Sequence, residues 1–183
     1  RPVHWGPFPL ETLPRDPSIY EQERNRSQSR ESTVTFENTP LANTIRRYER
    51  TYLAAARGDP APALAPLPDD LERCAADIKG AAYFMDASQV GICQMPQSAW
   101  YAGAEQPEHH HAVVLLIEYP RLPEADNLAR QWLEPAQADA SRLRALEIAA
   151  CIAGHIRWMG MQATVHIAGN ESVDLERLAV VSG

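Results

Sequence analysis

Residues 145–167, ALEIAACIAGHIRWMGMQATVHI, change their hydrophobic period part-way along. Leu146, Ala149, Ala150, Ile152, Ala153 and Ile156, with Leu143 ahead of them, recur at three- and four-residue spacing and predict a broad apolar face on a helix over 138–158. Gly160 stands where such a helix is stopped. Beyond it Met161, Ala163, Val165 and Ile167 alternate with Gln162, Thr164 and His166, which is the period of a strand with one polar face. A long helix running into a strand is a unit of layered helix-and-sheet domains.

Working outward, two short β-prone segments lie upstream, over 89–95 and 112–119. The second holds Val113, Val114, Leu115, Leu116 and Ile117 in one run, as in a strand covered on both faces. Before them, Asp69 or Asp70 caps a helix whose apolar stripe is Leu71, Cys74, Ala75, Ile78, Ala82 and Met85, ending near Asp86. Downstream, Ser172 caps a short helix over 173–181, closed by Ser182 and Gly183. This order predicts an α/β domain, of layered α+β type, with helices packed on a small mixed sheet.

The N-terminal part reads differently. Residues 1–17 are dense in proline and carry Trp5, Phe8 and Leu10, an extended arm that packs aromatics without regular structure. Residues 21–37 are polar and charged, with little to bury, and read as a loop. A helix is predicted over 43–57 from Ile45, Tyr48, Tyr52 and Ala56, with Gly58 at its C-terminal stop. Residues 59–68 alternate proline with alanine and leucine, a linker of polyproline character. The chain therefore divides into 1–66 (arm, helix and linker) and an α/β core over 67–183.

A net charge of -7 and a pI near 5.3 give an acidic surface that repels phosphate backbones and anionic lipid headgroups, which argues against nucleic acid and membrane as partners. The longest apolar run, 112–117, is far short of the roughly 20 residues that span a bilayer. The first ten residues show neither the apolar stretch of an export signal nor a twin-arginine pair. Cys74, Cys93 and Cys151 have no short paired spacing, so they read as small core residues in a reducing compartment. A cytoplasmic location is the expectation.

Two stretches carry a resemblance. Gly6-Pro7-Phe8-Pro9-Leu10-Glu11 is similar to the leader of the cytoplasmic, catabolic type of reductive dehalogenase. Residues 149–160, AACIAGHIRWMG, followed by Ala163 to His166 and by the segment holding Leu178-Ala179, resemble the helix, strand and helix of the corrinoid-binding fold that reductive dehalogenases share with epoxyqueuosine reductases. The resemblance implies a nitroreductase-like architecture. It also implies that the chain is the degenerate N-terminal copy of that domain, ahead of the copy that holds cobalamin and of a ferredoxin-like domain with two 4Fe-4S clusters. The family's cluster-ligating C-x-x-C-x-x-C-x-x-x-C-P run is missing from this sequence, and its catalytic tyrosine and basic partner map onto no position here. No catalytic or metal-ligating residue is therefore carried over, and no cofactor is expected to be ligated by this segment.

Several residue types invite a site on their own chemistry. His109, His110 and His111 supply three imidazoles, but neighbours on an extended segment point to opposite sides, so a loop leading into the strand is the expected role. His155 and His166 approach each other if the helix packs on the strand, without a third ligand in register. Tyr101, beside Trp100, stands where a general acid would, with no basic neighbour legible, so packing is expected. Lys79 is expected on the solvent face, as are Arg142, Arg144 and Glu147 with local ion pairing. Gly154, at a cost of about 1 kcal/mol in helix stability, is expected to permit close packing.

The resemblance implies a whole polypeptide that removes halide from an organohalide, aromatic in type, using cobalamin and iron-sulfur clusters, with this segment as scaffold and a homodimer as a possible assembly. A stand-alone corrinoid-binding or carrier module is the alternative. A flavin enzyme follows only from fold analogy. The helix ending at Ser182-Gly183 without a polar tail reads as a domain boundary within a longer chain.

Overall fold

The computed structural model describes residues 16–27, 37–169 and 171–183. The predicted arm, including Gly6 to Glu11, lies outside the described residues apart from its last positions. Helix α1 (Pro17–Asn25) occupies part of the stretch read as a loop, which corrects that reading. It buries none of its own residues, but Asp16 caps it by accepting from the Ser18 N–H, and Pro17 suits the first helical turn.

Helix α2 (Pro40–Ala54) begins at the Thr39 cap and ends before Gly58. Gly58 is therefore not the predicted stop. It allows a close pass instead, since a Cβ there would lie 3.3 Å from Arg157 Nε. Helix α3 (Leu71–Phe84) is capped by Asp70, whose carboxylate accepts from the N–H groups of Glu72 and Arg73. Asp86, at φ 69°, turns the chain out of it. The predicted stripe of α3 is buried only towards its end: Ala82 is in the core with Ile78 and Met85 packed on it, whereas Leu71 is 77 % exposed, and Tyr83, outside that stripe, is buried too.

Strands β1 (Gln89–Gln94) and β2 (His111–Leu116) pair antiparallel, with Gln89 opposite Leu116 and Gln94 opposite His111. The described sheet is this antiparallel pair and not a mixed sheet, and β2 is only partly buried along its centre. After the short α4 (Arg130–Leu133) comes α5 (Gln137–Trp158), as the period of its apolar residues predicted. Gly160, at φ 87°, ends it where a Cβ would meet the Ala63 carbonyl oxygen at 2.5 Å.

Residues 161–167 do not form the predicted strand ladder, though the alternation holds, with Val165 and Ile167 in the core. The Val165 N–H donates to the Ala56 carbonyl at 3.0 Å, so this segment is pinned to the end of α2. Helix α6 (Leu175–Ser182) is capped by Asp174, two residues beyond the predicted Ser172. Ser172 instead belongs to an extended stretch where Val173 bridges Trp100.

The core has three parts. Ala82, Tyr83, Val90, Ile148 and Ile152 join α3, β1 and α5. Cys93, Trp100, Val173, Leu178 and Val181 join the other side of the sheet to α6. Ala56, Leu146, Ala153, Val165 and Ile167 seat the 161–167 segment on α2 and α5. The 59–68 linker is tied down as well, with Ala61 and Ala65 donating to the carbonyls of Arg157 and Met159 at 2.8 and 3.0 Å.

Candidate functional site

Among the described residues, polar side chains gather in partly buried ion networks and around His109 and His166. Arg142, expected in solvent, is instead half-buried against α2: its Nη1 donates to Glu49 Oε2 at 2.8 Å and its Nε to the Ala168 carbonyl at 3.0 Å. Burial pushes the Glu49 carboxyl above the usual range against the opposing pull of Arg142. Beside it Arg46 pairs with Asp139 at 3.1 Å. Arg144 and Glu147 form the expected local pair at 2.8 Å, and Arg144 also holds the Met85 carbonyl at the end of α3.

At the opposite end, Arg177 is buried in α6 and donates to the carbonyls of Ser98 and Arg26. Arg26 in turn pairs with the fully buried Asp174 at 3.2 Å. These pairs lock α1 onto α6.

The histidines separate. His110 and His111 are exposed, whereas His109 is half-buried with Nε2 3.4 Å from Thr164 Oγ1, so the three do not converge. His155 is exposed on α5 and does not join His166. His166 accepts from the Ser172 N–H on Nδ1 at 3.2 Å and sits edge-on to Trp100, ring centres 6.0 Å apart. Burial, with His109 and Arg57 nearby, pushes its pKa down to about 4. Burial also lowers His109, with His110 adding to the effect. Sequence reasoning missed this arrangement because Trp100, His109, Thr164 with His166, and Ser172 lie on separate segments of the chain. The legible trace was the polar face Thr164–His166.

Tyr101 is half-buried and its backbone N–H donates to the Ser172 carbonyl at 3.0 Å, which places it in the same packed turn. Lys79 is half-buried rather than open to solvent. Gly154 is not a site of close packing, since a Cβ there would find only Arg157 Nη2, at 3.9 Å. Of the cysteines, Cys93 is buried and Cys74 half-buried, but Cys151 is exposed on α5 and is not a core residue. An iron-sulfur cluster needs several thiolates around one point. Cys74, Cys93 and Cys151 sit on α3, β1 and α5, and among the described residues no three His, Cys, Asp or Glu side chains gather as a metal would require. These residues do not fit a cluster.

Neither models of known protein families nor curated proteins match the chain. Solved structures do. The catabolic reductive dehalogenase NpRdhA aligns over 100 % of this chain at 33 % identity, with a TM-score of 0.78. The chain belongs to the reductive dehalogenases. A reductive dehalogenase structure described as suggesting a mechanism for B12-dependent dehalogenation aligns over 100 % of it at 35 % identity and TM-score 0.79. NpRdhA in complex with 3-bromo-4-hydroxybenzoic acid matches equally, at 36 % identity and TM-score 0.79. This dehalogenase segment spans only about a quarter of each, 25 to 26 % of their length. It is the counterpart of one part of a larger enzyme. Among its described residues no helix is long and apolar enough to cross a membrane.

Proposed function

We propose that the chain is the N-terminal scaffold of a longer cytoplasmic reductive dehalogenase, a degenerate nitroreductase-like domain beside the domains that carry cobalamin and two 4Fe-4S clusters. The whole enzyme reduces an aromatic organohalide, releasing halide. The observation that carries this reading is full-length alignment at 33 to 36 % identity with a quarter of the catabolic enzyme.

The placement of polar groups supports a scaffold role. Buried and half-buried arginines are used in ion pairs and carbonyl caps, and the cysteines lie on three different elements. Cobalamin, when bound by the whole enzyme, supplies the two-electron reduction of the carbon-halogen bond. This segment supplies rigid support. Trp158 and Leu128, each 83 % exposed, and Phe84, 74 % exposed, are apolar surface for the rest of the polypeptide or for a second copy in a homodimer.

The division at residues 66 and 67 is part of the same reading, with the linker packed along the end of α5. The test is the reading frame past Gly183, joined to halide release from 3-bromo-4-hydroxybenzoate by the encoded protein. Two cysteine runs ending in C-P and reductant-dependent bromide release are expected. An immediate stop codon overturns the proposal.

A further inference from the structure

The described sheet stops at two strands, although β2 has the composition of an interior strand. The Met95 N–H donates to the His110 carbonyl at 2.9 Å, one step beyond the pairing of Gln94 with His111. Hydrogen-bonded pairs alternate along an antiparallel ladder, so Ala112, Val114 and Leu116 turn their backbone groups towards β1. His111, Val113 and Leu115 turn theirs the other way. The same parity holds on β1, where the Val90 N–H points outwards and donates to the Tyr83 hydroxyl at 3.2 Å. Helix α3 thus meets the outer edge of β1. Among the described residues, no hydrogen bond reaches the outward backbone groups of β2. Residues 161–167, whose alternation predicted a strand, do not pair there, and their Val165 N–H turns to Ala56 instead.

Both faces of β2 are already covered. Val113, Leu115 and Ile117 pack towards α3 and α5, and Ala112 and Val114 pack towards α6. Residues 112–117 hold none of the charges or prolines that guard a free edge against pairing. We propose that the outer edge of β2 takes a third strand from the polypeptide that follows Gly183, paired through His111, Val113 and Leu115. This rests on the reading of the chain as an N-terminal scaffold that spans 25 to 26 % of its relatives and leaves about three quarters of the enzyme downstream. In strand addition the main-chain hydrogen bonds supply affinity and alternate side chains supply specificity. The two covered faces select the occupant: an extended run that is apolar on both sides, because it continues a sheet layered between helices.

The test is hydrogen exchange at single-residue resolution in the complete polypeptide, joined to photo-cross-linking from p-benzoylphenylalanine in place of the exposed His111. The Val113 and Leu115 amides are expected to exchange within about tenfold of Ala112 and Val114, whose N–H groups face β1. Photolysis is expected to join position 111 to a residue beyond 183 of the same copy. Exchange at Val113 and Leu115 about a hundredfold faster than at their neighbours means an open edge and overturns the proposal, while the scaffold reading stands. Cross-links confined to residues 1–183 overturn it as well. A cross-link between isotopically light and heavy copies assigns the edge to a second copy and overturns it too. If the mass of the complete polypeptide ends at Gly183, the scaffold reading itself fails and takes the third strand with it.

Discussion

The guanidinium of Arg157, near the end of α5, donates from Nη2 to the carbonyl oxygen of Ala55 at 2.8 Å, across 102 residues of sequence. Its Nη1 also donates to the Ala163 carbonyl at 2.9 Å, so one side chain closes the end of α2 and starts the segment after α5. Arg157 is only 8 % exposed. Arg157→Met keeps the apolar stem and strands these carbonyls. The expected cost is about 2–4 kcal/mol, read as a lower urea midpoint with unchanged slope.

Arg142 and Glu49 predict a sharper asymmetry. Removing the cation in Arg142→Met leaves a buried carboxylate unpaired, a loss of about 3–5 kcal/mol. The double variant with Glu49→Leu should recover most of it. A cycle showing simple additivity would mean that the pair does not interact.

Gly91 on β1 lies under Ser182 of α6. A Cβ at Gly91 would fall 2.6 Å from the Ser182 Cβ and 2.3 Å from its Oγ, so Gly91→Ala is expected to cost about 1–3 kcal/mol by overpacking. Ser182→Gly should relieve part of that in thermal melts of the double variant.

Protonation of His166 predicts a slope in stability with pH. Its pKa is about 4 in the fold against 6.5 for the free side chain, so between those values the unfolded chain binds a proton that the folded chain refuses. Stability is fully present above pH 6.5 and falls as pH drops towards 4, by on the order of 2 kcal/mol once solvent around a half-buried ring is allowed for. Urea midpoints from pH 7.5 to 5 should show it. His166→Gln, which keeps an acceptor for the Ser172 N–H, should flatten the slope.

The fold was legible where local pattern and tertiary packing agree. The apolar spacing of Leu146, Ala149, Ile152, Ala153 and Ile156 marked α5, and the run Val113–Leu115 marked β2, because burial selects those side chains directly. Residues 161–167 misled because alternation reports which side is buried and not whether a ladder is made. Helix α1 was illegible since its docking rests largely on ion pairs: beside the single apolar contact of Tyr20, Arg26 and Glu23 reach Arg177 and Asp174, which no hydrophobic pattern records. The Ser172 cap lost to Asp174 because the Asp174 carboxylate is also the partner of Arg26. The histidine region was half-visible: His109 and His166 stood out as types, but His109 reaches Thr164 across 55 residues of sequence, which no local pattern records.

The union of α1 with α6 sets a schedule for synthesis. Arg26 and Asp174 are separated by 148 positions, so while the chain is emerging from the ribosome α1 has no surface to dock on until the last described helix has been made. Such a closing contact raises contact order and slows the final step of folding. Until then α1, with no fully buried residue of its own, leaves little apolar surface waiting for a partner.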